Sequence, residues 1–564
     1  MKRILIVGGV AGGATAAARI RRLDERAEIV IFERSGYISY ANCGLPYYIG
    51  GVIEDGDDLT LQTPEGFARR FRIDARVHHE VVDIDPVAKQ VTVCDLKSGH
   101  RYQERYDVLL LSPGAKPVLP DYKGLPDRRA FTLRTVEDAF AIRGFVEAEK
   151  PRTALVIGGG FIGLEMAENL AEAGLFVTLI QRGEHLLNVI DADMASFVHA
   201  KLKGKGVRLL LSANVTDVQG EADGVTAIFD CGQRYSADMV ILAIGVTPEN
   251  ELARKIGLRL GQKGAIAVNE RMQTSLPDIY AVGDAVEVTH GVTGMPAVIS
   301  LAGPANKQGR VAADNICGID STYRASFGSS VIKIFDMTVA TTGITEMAAL
   351  RAGLDFEKVI LTPASHAGYY PDASAMTLKV LYERRTRRLL GAQIVGYDGV
   401  DKRIDVLATA MQAGLAADRL CTLDLAYAPP YSSAKDPVNM AGFIIENIEK
   451  GLVKQFYYED IAQLRARDDV TLLDTRTDGE YARGHAEGFC HIPLDSLRDR
   501  LGELDKEKPV YVMCQSGLRS YLATRILSQN GFDAYNFAGG YRLYQSITTD
   551  RAAARFTAPC GAEK

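Results

Sequence analysis

Two glycine-rich turns, each between an apolar run and a helical stretch, constrain the fold of this chain most. The first turn follows the apolar run Arg3–Val7 and is marked by Gly8, Gly12 and Gly13. A helical stretch and a second apolar run then lead to Glu33, 20 residues beyond Gly13. The turn exposes N–H groups that favour a pyrophosphate, and the acid can accept from ribose hydroxyls. The pattern predicts a dinucleotide-binding unit, although Val10 replaces the second glycine of a strict GxGxxG.

The second turn follows the run Thr153–Ile157 and fits GxGxxG in full, through Gly158, Gly160 and Gly163. The next apolar run ends in Gln181 and Arg182, where an acid is usual. An acid would favour a free 2′-hydroxyl, and an arginine can accommodate a 2′-phosphate. The choice between NADH and NADPH therefore stays open, with a slight tilt toward tolerating NADPH. Two such units predict an α/β protein that holds two nucleotide cofactors, and a flavin is a candidate for one of them.

Cys43 stands about ten residues beyond Glu33, beside whatever the first unit binds. It has no second cysteine near it in the sequence, so its disulfide partner must come from outside that segment. The chain has eight cysteines with no Cys-x-x-Cys and no metal-ligand spacing, at positions 43, 94, 231, 317, 421, 490, 514 and 560. This distribution argues for a reducing compartment and predicts no metal site.

Composition limits the partners of the chain. Its 564 residues suggest three to five domains, and a net charge of −6 argues for solubility and against nucleic acid. No apolar run approaches the roughly 18 residues needed to span a bilayer. We therefore expect a cytoplasmic protein that acts on small molecules.

Arg19 and Arg22 are three residues apart on the helical stretch after the first turn, and so share one face. They form either a solvated helix face or a pair of cations for a phosphorylated substrate near Cys43. Guanidinium groups bind phosphate in a bidentate manner.

The segment Ala281-Val282-Gly283-Asp284 completes a set of motifs that resembles the pyridine nucleotide-disulfide oxidoreductase family over residues 1 to about 445. The resemblance implies an FAD-binding domain formed by residues 1–115 and 245–320. An NAD(P)-binding domain is inserted at residues 116–244. It also implies that Asp284 holds the flavin ribityl chain.

The single Cys43 and the string Asn42-Cys43-Gly44-Leu45-Pro46-Tyr47 resemble the coenzyme A-disulfide reductase branch of that family. The resemblance implies that Cys43 forms a mixed disulfide with CoA. It also implies a set of CoA-contacting residues, namely Thr15, Arg19, Arg22, Ser39, Asn42 and Lys435. Asn306 stands where some members have a substrate-contacting histidine, which leaves that contact open.

Residues 321–448 resemble the dimerisation domain of the family. The resemblance implies a homodimer in which Tyr369 and Tyr427 of one subunit approach the active cysteine of the other. A phenol can supply a proton or a hydrogen bond to a leaving thiolate. Packing at the subunit interface is the alternative role of these tyrosines.

Residues 449–564 are predicted to form a linker and a further domain, an α/β unit that resembles a rhodanese. Its six-residue loop comprises Cys514, Gln515, Ser516, Gly517, Leu518 and Arg519. A cysteine between a strand and a helix N-terminus favours a thiolate, and Arg519 adds positive charge. The resemblance implies that Cys514 carries a persulfide, with Tyr544 where such domains often have tryptophan.

These features together predict an FAD-dependent NAD(P)H:CoA-disulfide or CoA-persulfide reductase fused to a sulfurtransferase. Its substrates would be CoA disulfide, persulfides or polysulfide, and sulfane sulfur would leave as sulfide. The main alternative is an NADH oxidase or peroxidase in which Cys43 cycles through a sulfenic acid. A redox sensor with negligible turnover is a further alternative.

Overall fold

The computed structural model describes residues 1–126 and 128–557, so Cys560 lies outside it. The described chain forms two compact units. The first comprises Met1–Glu184 and Gly206–Gly328, and the second comprises His185–Lys205 and the chain from Ser329 onward.

The first unit contains a five-stranded parallel sheet centred on the strand Arg3–Val7. This strand is almost fully buried, as the apolar run predicts for a strand covered on both faces. The sheet has the spatial order Ile279–Ala281, Val108–Leu111, Arg3–Val7, Glu28–Glu33 and Asp74–Val77.

A second parallel sheet in this unit is centred on Thr153–Ile157, at the second glycine turn. Its spatial order is Arg208–Leu210, Phe176–Ile180, Thr153–Ile157, Met239–Leu242 and Ala130–Phe131. The strands Ala115–Pro117 and Val246–Pro248 pair antiparallel where the chain crosses between the two folds.

Short strands and helices complete the first unit. Three small sheets comprise His79–Asp85, Gln90–Asp95 and Arg101–Arg105; Val215–Gly220, Val225–Phe229 and Arg234–Ala237; and Ile266–Ala267, Val286–Thr289 and Pro296–Ala297. The α-helices are Ala11–Leu23, Leu45–Ile49, Pro64–Phe71, Val136–Glu149, Phe161–Glu172, Glu251–Lys255 and Ala302–Ile316.

The second unit begins with the helix Ala192–Gly204, which the sequence places within the NAD(P)-binding range. An antiparallel sheet follows, in the order Ser330–Ile334, Met337–Gly343, Leu389–Gly396, Thr377–Glu383 and Phe356–Leu361. Its helices are Glu346–Arg351, Val400–Gln412 and Pro437–Glu449.

A five-stranded parallel sheet forms the C-terminal part of the second unit. Its order is Lys454–Phe456, Ala534–Phe537, Val510–Met513, Thr471–Asp474 and Cys490–His491. The α-helices are Ile461–Arg465, Asp478–Ala482, Leu518–Gln529 and Gly540–Thr557. The sheets confirm the predicted α/β class with an α+β segment between the parallel-sheet regions.

Candidate functional site

The first glycine turn lies at the carboxyl end of the central strand and opens the helix Ala11–Leu23. Gly8 has a φ of +92°, and a Cβ at Gly13 would lie 1.9 Å from the Gly8 carbonyl oxygen. Gly12 is likewise crowded, since its Cβ would lie 2.8 Å from the Val282 side chain. Only glycine allows this close approach of strand, turn and helix, which leaves the N-terminal amides for a pyrophosphate.

The buried Glu33 braces this turn. Its Oε2 accepts a hydrogen bond from the Gly9 N–H and its Oε1 accepts from the Ser35 N–H, both at 2.9 Å. The carboxylate therefore lies beside the turn, where a ribose would follow the pyrophosphate. Asp284 lies in the short 3₁₀ helix Gly283–Ala285 and forms a 2.9 Å ion pair with Arg134.

The second turn repeats this geometry with one difference. Gly158 has a φ of +113°, and a Cβ at Gly163 would lie 1.8 Å from the Gly158 oxygen. At Gly160 a Cβ would meet no atom within 4 Å, which leaves the open space that a closely approaching pyrophosphate needs. Gln181 takes the place of the usual acid, and its Oε1 accepts from the Gly159 N–H at 3.0 Å. Both turns therefore fit a dinucleotide.

Cys43 lies in the 3₁₀ helix Asn42–Gly44, directly before the helix Leu45–Ile49. The segment is tied to the first turn, because the Ser39 N–H donates to the Gly9 oxygen at 2.8 Å. Ser39 holds a φ of +51°, a left-handed conformation that shapes this link. Cys43 is a free and exposed residue, so an external disulfide or persulfide can reach its sulfur directly.

The pKa of the Cys43 thiol is raised, first by partial burial and then by the nearby carboxylates of Glu165 and Asp284. Glu165 lies on the helix Phe161–Glu172, and burial together with Glu168 raises its own pKa to about 7. Glu165, Glu168 and Cys43 also act with burial to raise the pKa of Tyr47 to about 12. Arg134 acts in the opposite direction and lowers the pKa of Cys43, but burial and the two carboxylates outweigh it.

Sequence reasoning missed Glu165. A signal was available, because Glu165 and Glu168 are two acids three residues apart in the otherwise apolar first turns after the second glycine motif. An acid in such a position is either exposed or functionally retained.

The predicted CoA residues of the first unit lie on or near two packed helices. Thr15 donates a hydrogen bond to Asn306 Oδ1, which joins Ala11–Leu23 to Ala302–Ile316. Arg19 forms a 2.8 Å ion pair with Asp314, which lies on the helix that carries Asn306, whereas Arg22 is exposed. Arg310, which sequence reasoning missed, is exposed and lies four residues from both Asn306 and Asp314. It therefore shares their helix face.

The two predicted tyrosines meet in the second unit. The hydroxyls of Tyr369 and Tyr427 are 2.7 Å apart, and the rings are 76% and 46% exposed. The hydrogen bond between the two hydroxyls is the main reason that the pKa of Tyr427 is raised. Lys435 is exposed in the loop before the helix Pro437–Glu449.

Cys514 directly follows the strand Val510–Met513 and is fully buried. Its Sγ accepts hydrogen bonds from the Gly517 N–H at 3.1 Å and the Ser520 hydroxyl at 3.2 Å. Gly517, with a φ of +101°, turns the chain into the helix Leu518–Gln529. A hydrogen-bonded cradle of this kind stabilises a sulfur anion.

The other residues of the loop leave no free charge beside the Cys514 sulfur, because Arg519 is the one charged residue among them and it is paired. The Gln515 oxygen accepts from the Arg542 N–H at 3.2 Å, Ser516 is half-buried, and Leu518 is 57% exposed. Both terminal nitrogens of Arg519 bind the carboxylate of Glu480 instead of the sulfur. Tyr544 packs against Tyr458 and Tyr541 in the aromatic layer of this region.

The comparisons with known proteins agree with this geometry. A family model described as pyridine nucleotide-disulphide oxidoreductase matches residues 2–309, more than half of the chain. The chain belongs to this family. Models for the family's dimerisation domain and for a rhodanese-like domain match residues 329–437 and 458–547. As a member with a fused rhodanese domain, the protein is a flavoenzyme that uses FAD and NAD(P)H.

Individual members of the family share much of the chain. The coenzyme A disulfide reductase of Staphylococcus aureus (strain JH9) is 38% identical over 444 residues, 78% of this chain and 99% of that protein. The crystal structure of reduced Bacillus anthracis CoADR-RHD is 46% identical, with a TM-score of 0.94 over 98% of this chain and 99% of that one. An NAD-dependent persulfide reductase from A. fulgidus is 38% identical, with a TM-score of 0.91 over 96% of this chain and 100% of that one.

Two further findings concern other kinds of site. Within residues 1–126 and 128–557, no helix combines the length and apolarity needed to cross a membrane. The same residues contain no group of three or more His, Cys, Asp or Glu side chains that could hold a metal ion.

Proposed function

We propose that this flavoenzyme reduces CoA-linked disulfides and persulfides and that its rhodanese domain transfers sulfane sulfur. The observation that carries the proposal is the free, exposed Cys43 tied to the first glycine turn. The names of the S. aureus and A. fulgidus relatives support the substrate class. In this proposal the domains span 1–115 with 245–320, 116–244, 321–448 and 449–564, in a cytoplasmic enzyme.

The cofactor residues follow from the two turns. FAD would be held by Gly8, Gly12, Gly13, Glu33 and Asp284, and the nicotinamide cofactor by Gly158, Gly160, Gly163 and Gln181. Together, the bound cofactors supply the electron pair that reduces the Cys43 sulfur. The Arg134–Asp284 ion pair would keep Asp284 oriented toward the flavin side of the site.

The CoA residues would orient the thiol substrate. Arg22 and Arg310 offer exposed guanidinium groups for phosphates, whereas Arg19 shares its charge with Asp314. Thr15, Ser39, Asn42 and Lys435 would add polar contacts.

The reaction at Cys43 consists of a thiol–disulfide exchange followed by a two-electron reduction. The Cys43 thiolate attacks a CoA disulfide, so that a Cys43–S–S–CoA bond forms and one CoA thiolate leaves. Two electrons and a proton then cleave the mixed disulfide to CoA thiol and the Cys43 thiolate. With a CoA persulfide, the leaving group of the first exchange is hydrosulfide.

The tyrosines would donate a hydrogen bond or a proton to the leaving thiolate. In the homodimer that the dimerisation domain suggests, a second copy of the chain contributes Tyr369 and Tyr427. One hydroxyl donates to the other at 2.7 Å, so the pair retains a single proton for an outside acceptor. That proton stabilises the departing CoA thiolate.

Cys514 would provide the sulfur input. Its thiolate attacks the outer sulfur of a persulfide R–S–S⁻, which releases the thiolate R–S⁻ and leaves a Cys514 persulfide. The Gly517 N–H and Ser520 hydroxyl stabilise the buried anion before and after this exchange. The Cys514 persulfide then passes its outer sulfur to CoA or to another thiol.

Mass spectrometry of the purified protein, intact and digested, tests the proposal. We expect a CoA adduct on Cys43 that NAD(P)H releases, and none on a Cys43→Ser variant. A Cys514→Ala variant should keep the adduct and lose the persulfide. A sulfenic acid on Cys43 with no CoA affinity, together with turnover of peroxide, would instead assign the oxidase or peroxidase activity.

A further inference from the structure

Arg403 connects the two loops that carry the exposed tyrosine pair. It lies on the helix Val400–Gln412, and its side chain is almost fully buried. Its Nη2 donates to the Ser365 oxygen at 3.0 Å and to the Tyr431 oxygen at 3.1 Å. Ser365 lies in the loop that carries Tyr369, between the strands Phe356–Leu361 and Thr377–Glu383. Tyr431 lies in the loop that carries Tyr427, before the helix Pro437–Glu449. One guanidinium therefore contacts both loops.

A buried charge holds this guanidinium in place. Arg403 Nε donates to Asp436 Oδ2 at 3.2 Å, and Ser432 donates its hydroxyl proton to the same oxygen at 2.8 Å. The other oxygen of Asp436 accepts from the Val438 N–H at 3.0 Å and caps the helix Pro437–Glu449. The position of Arg403 is thus fixed from two helices.

The loops also contact one another directly. The Ala367 N–H donates to the Ser432 oxygen at 3.0 Å. His366 Nε2 lies 2.9 Å from the Pro371 oxygen and closes the loop around Tyr369. The tyrosine rings themselves are largely exposed, so their spacing depends on the backbone beneath them rather than on packing around the rings.

We propose that Arg403 is a positioning residue that sets the Tyr369–Tyr427 hydroxyl pair for the attack on the CoA-linked disulfide. This inference rests on the proposed function of the tyrosines and adds the residue that controls it. Loss of the guanidinium removes the donor shared by Ser365 and Tyr431, so that the Ala367–Ser432 hydrogen bond has to hold the backbones of the two loops together without it. A displacement of about 1 Å at a reacting group can slow a reaction roughly 100-fold.

The two half-reactions distinguish a positioning role from a general stabilising role. A positioning role affects only the half-reaction that uses the tyrosines, whereas a general loss of stability affects both. Reduction of the flavin by NADH does not need the tyrosines, whereas reoxidation of the reduced enzyme by CoA disulfide does. Rapid-mixing measurements on the FAD-loaded full-length protein follow both rates through the flavin absorbance.

The variants are Arg403→Met, Arg403→Lys and the pair Tyr369→Phe with Tyr427→Phe. Arg387→Met is the matched control, since it removes an arginine of the same unit whose side chain is 46% exposed and pairs with Asp418. If Arg403→Met does not fold, the double variant Arg403→Met, Asp436→Asn is used in its place, because it removes both buried charges.

We expect Arg403→Met to slow reoxidation roughly 10- to 100-fold, to leave flavin reduction unchanged, and to add no further loss to the double tyrosine variant. Arg403→Lys keeps the charge without the planar fork and should restore part of the rate. Unchanged reoxidation, equal slowing of both halves, or losses that multiply with those of the tyrosine variants would overturn the inference. If the tyrosine variants alone have no effect, the proposed role of the tyrosines is wrong, and the Arg403 inference falls with it.

Discussion

Glu480 accepts a hydrogen bond from each terminal nitrogen of Arg519, and both distances are 2.7 Å. The same carboxylate accepts from the Thr477 N–H and hydroxyl at 2.9 Å, within the capping box of the helix Asp478–Ala482. The Arg519 hydrogen bonds, followed by those of Thr477, outweigh burial and lower the pKa of Glu480 to about 2. A residue outside the Cys514 loop therefore orients the charge at the end of that loop.

Glu480→Gln should lower sulfur transfer by Cys514 roughly tenfold, because the neutral amide loses the charge-assisted, bidentate contact that orients Arg519. The measurement is the rate of sulfane transfer from the persulfide to cyanide. Glu503→Gln is the matched control, since it removes a 53% exposed carboxylate paired with Arg500 in the same region. The CoA-disulfide reductase rate should not change in either variant. An equal loss of sulfane transfer in Glu480→Gln and Glu503→Gln would contradict the role of Glu480 in orienting Arg519.

The Glu480 contact also predicts a dependence of stability on pH. The pKa of Glu480 lies below its usual value of 4.5 in the folded protein, so the contact stabilises the fold above pH 4.5. That contribution is lost as the pH falls from 4.5 toward about 2. The difference in Tm between wild type and Glu480→Gln should therefore shrink over this interval. A difference that grows with acidity would reverse the sign of the argument.

The strands and turns were the most predictable part of the structure. Arg3–Val7 and Thr153–Ile157 form strands as the sequence predicts, because short apolar runs bounded by glycine or polar residues encode buried parallel strands locally. The first helix is an exception, since it begins at Ala11 and includes Gly12 and Gly13. Because glycine lowers helix propensity, the sequence predicts a helical stretch only from Ala14 to Leu23, and this start is three residues late.

The partners of the site residues could not be predicted. Glu480 lies 39 residues from Arg519, and Arg403 lies 33 residues from Asp436. Hydrogen bonds between such distant segments follow from tertiary packing, which the local period of apolar residues does not encode. The same holds for Glu165, whose effect on Cys43 arises only where the helix Leu45–Ile49 packs on Phe161–Glu172.

Glu165→Gln should make Cys43 more reactive. The Glu165 carboxylate raises the pKa of the Cys43 thiol, so a neutral amide removes part of the repulsion and increases the thiolate fraction near pH 8. The rate of Cys43 alkylation against pH is the measurement, and the profile should move to lower pH. Glu172→Gln, an exposed position on the same helix, is the control and should leave the profile in place.

Glu165→Gln should also change the dependence of Tm on pH, in the direction opposite to Glu480→Gln. The pKa of Glu165 is raised to about 7 from 4.5, so the acid is most favourable below pH 4.5 and loses that stability as the pH rises through 7. Glu165→Gln should therefore raise Tm at pH 8 and change it little at pH 5. An equal gain at pH 5 and pH 8 would show that Glu165 is already ionised at pH 5 and would contradict the raised pKa.

Gly160→Ala should weaken nicotinamide binding without disturbing the fold. The added Cβ meets no protein atom within 4 Å, so it projects into the space reserved for the cofactor pyrophosphate. We expect the KM for NADH to rise about tenfold, equivalent to about 1.4 kcal/mol, while the FAD content stays unchanged. Gly144→Ala, which also meets no atom within 4 Å but lies inside the helix Val136–Glu149, should leave the KM unchanged.

Arg22→Gln and Arg310→Gln should each weaken the binding of CoA substrates. Both guanidinium groups are exposed, on the two helices that the Thr15–Asn306 hydrogen bond joins. A lost arginine–phosphate contact costs about 1.5–3 kcal/mol, so the KM for CoA disulfide should rise by roughly one to two orders of magnitude. The kcat should hold, because these residues do not contact the exchanging sulfur atoms.

Salt and substrate truncation separate a phosphate contact from a general charge effect. The KM of the wild type should rise with ionic strength, and the KM of the Arg22→Gln, Arg310→Gln double variant should respond less. A disulfide of pantetheine, which lacks the phosphates, should show the same KM for wild type and variant. Arg26→Gln alters an exposed arginine just beyond the end of the helix Ala11–Leu23 and is the control. If Arg26→Gln raises the KM as much as Arg310→Gln does, net charge rather than a built phosphate site binds CoA.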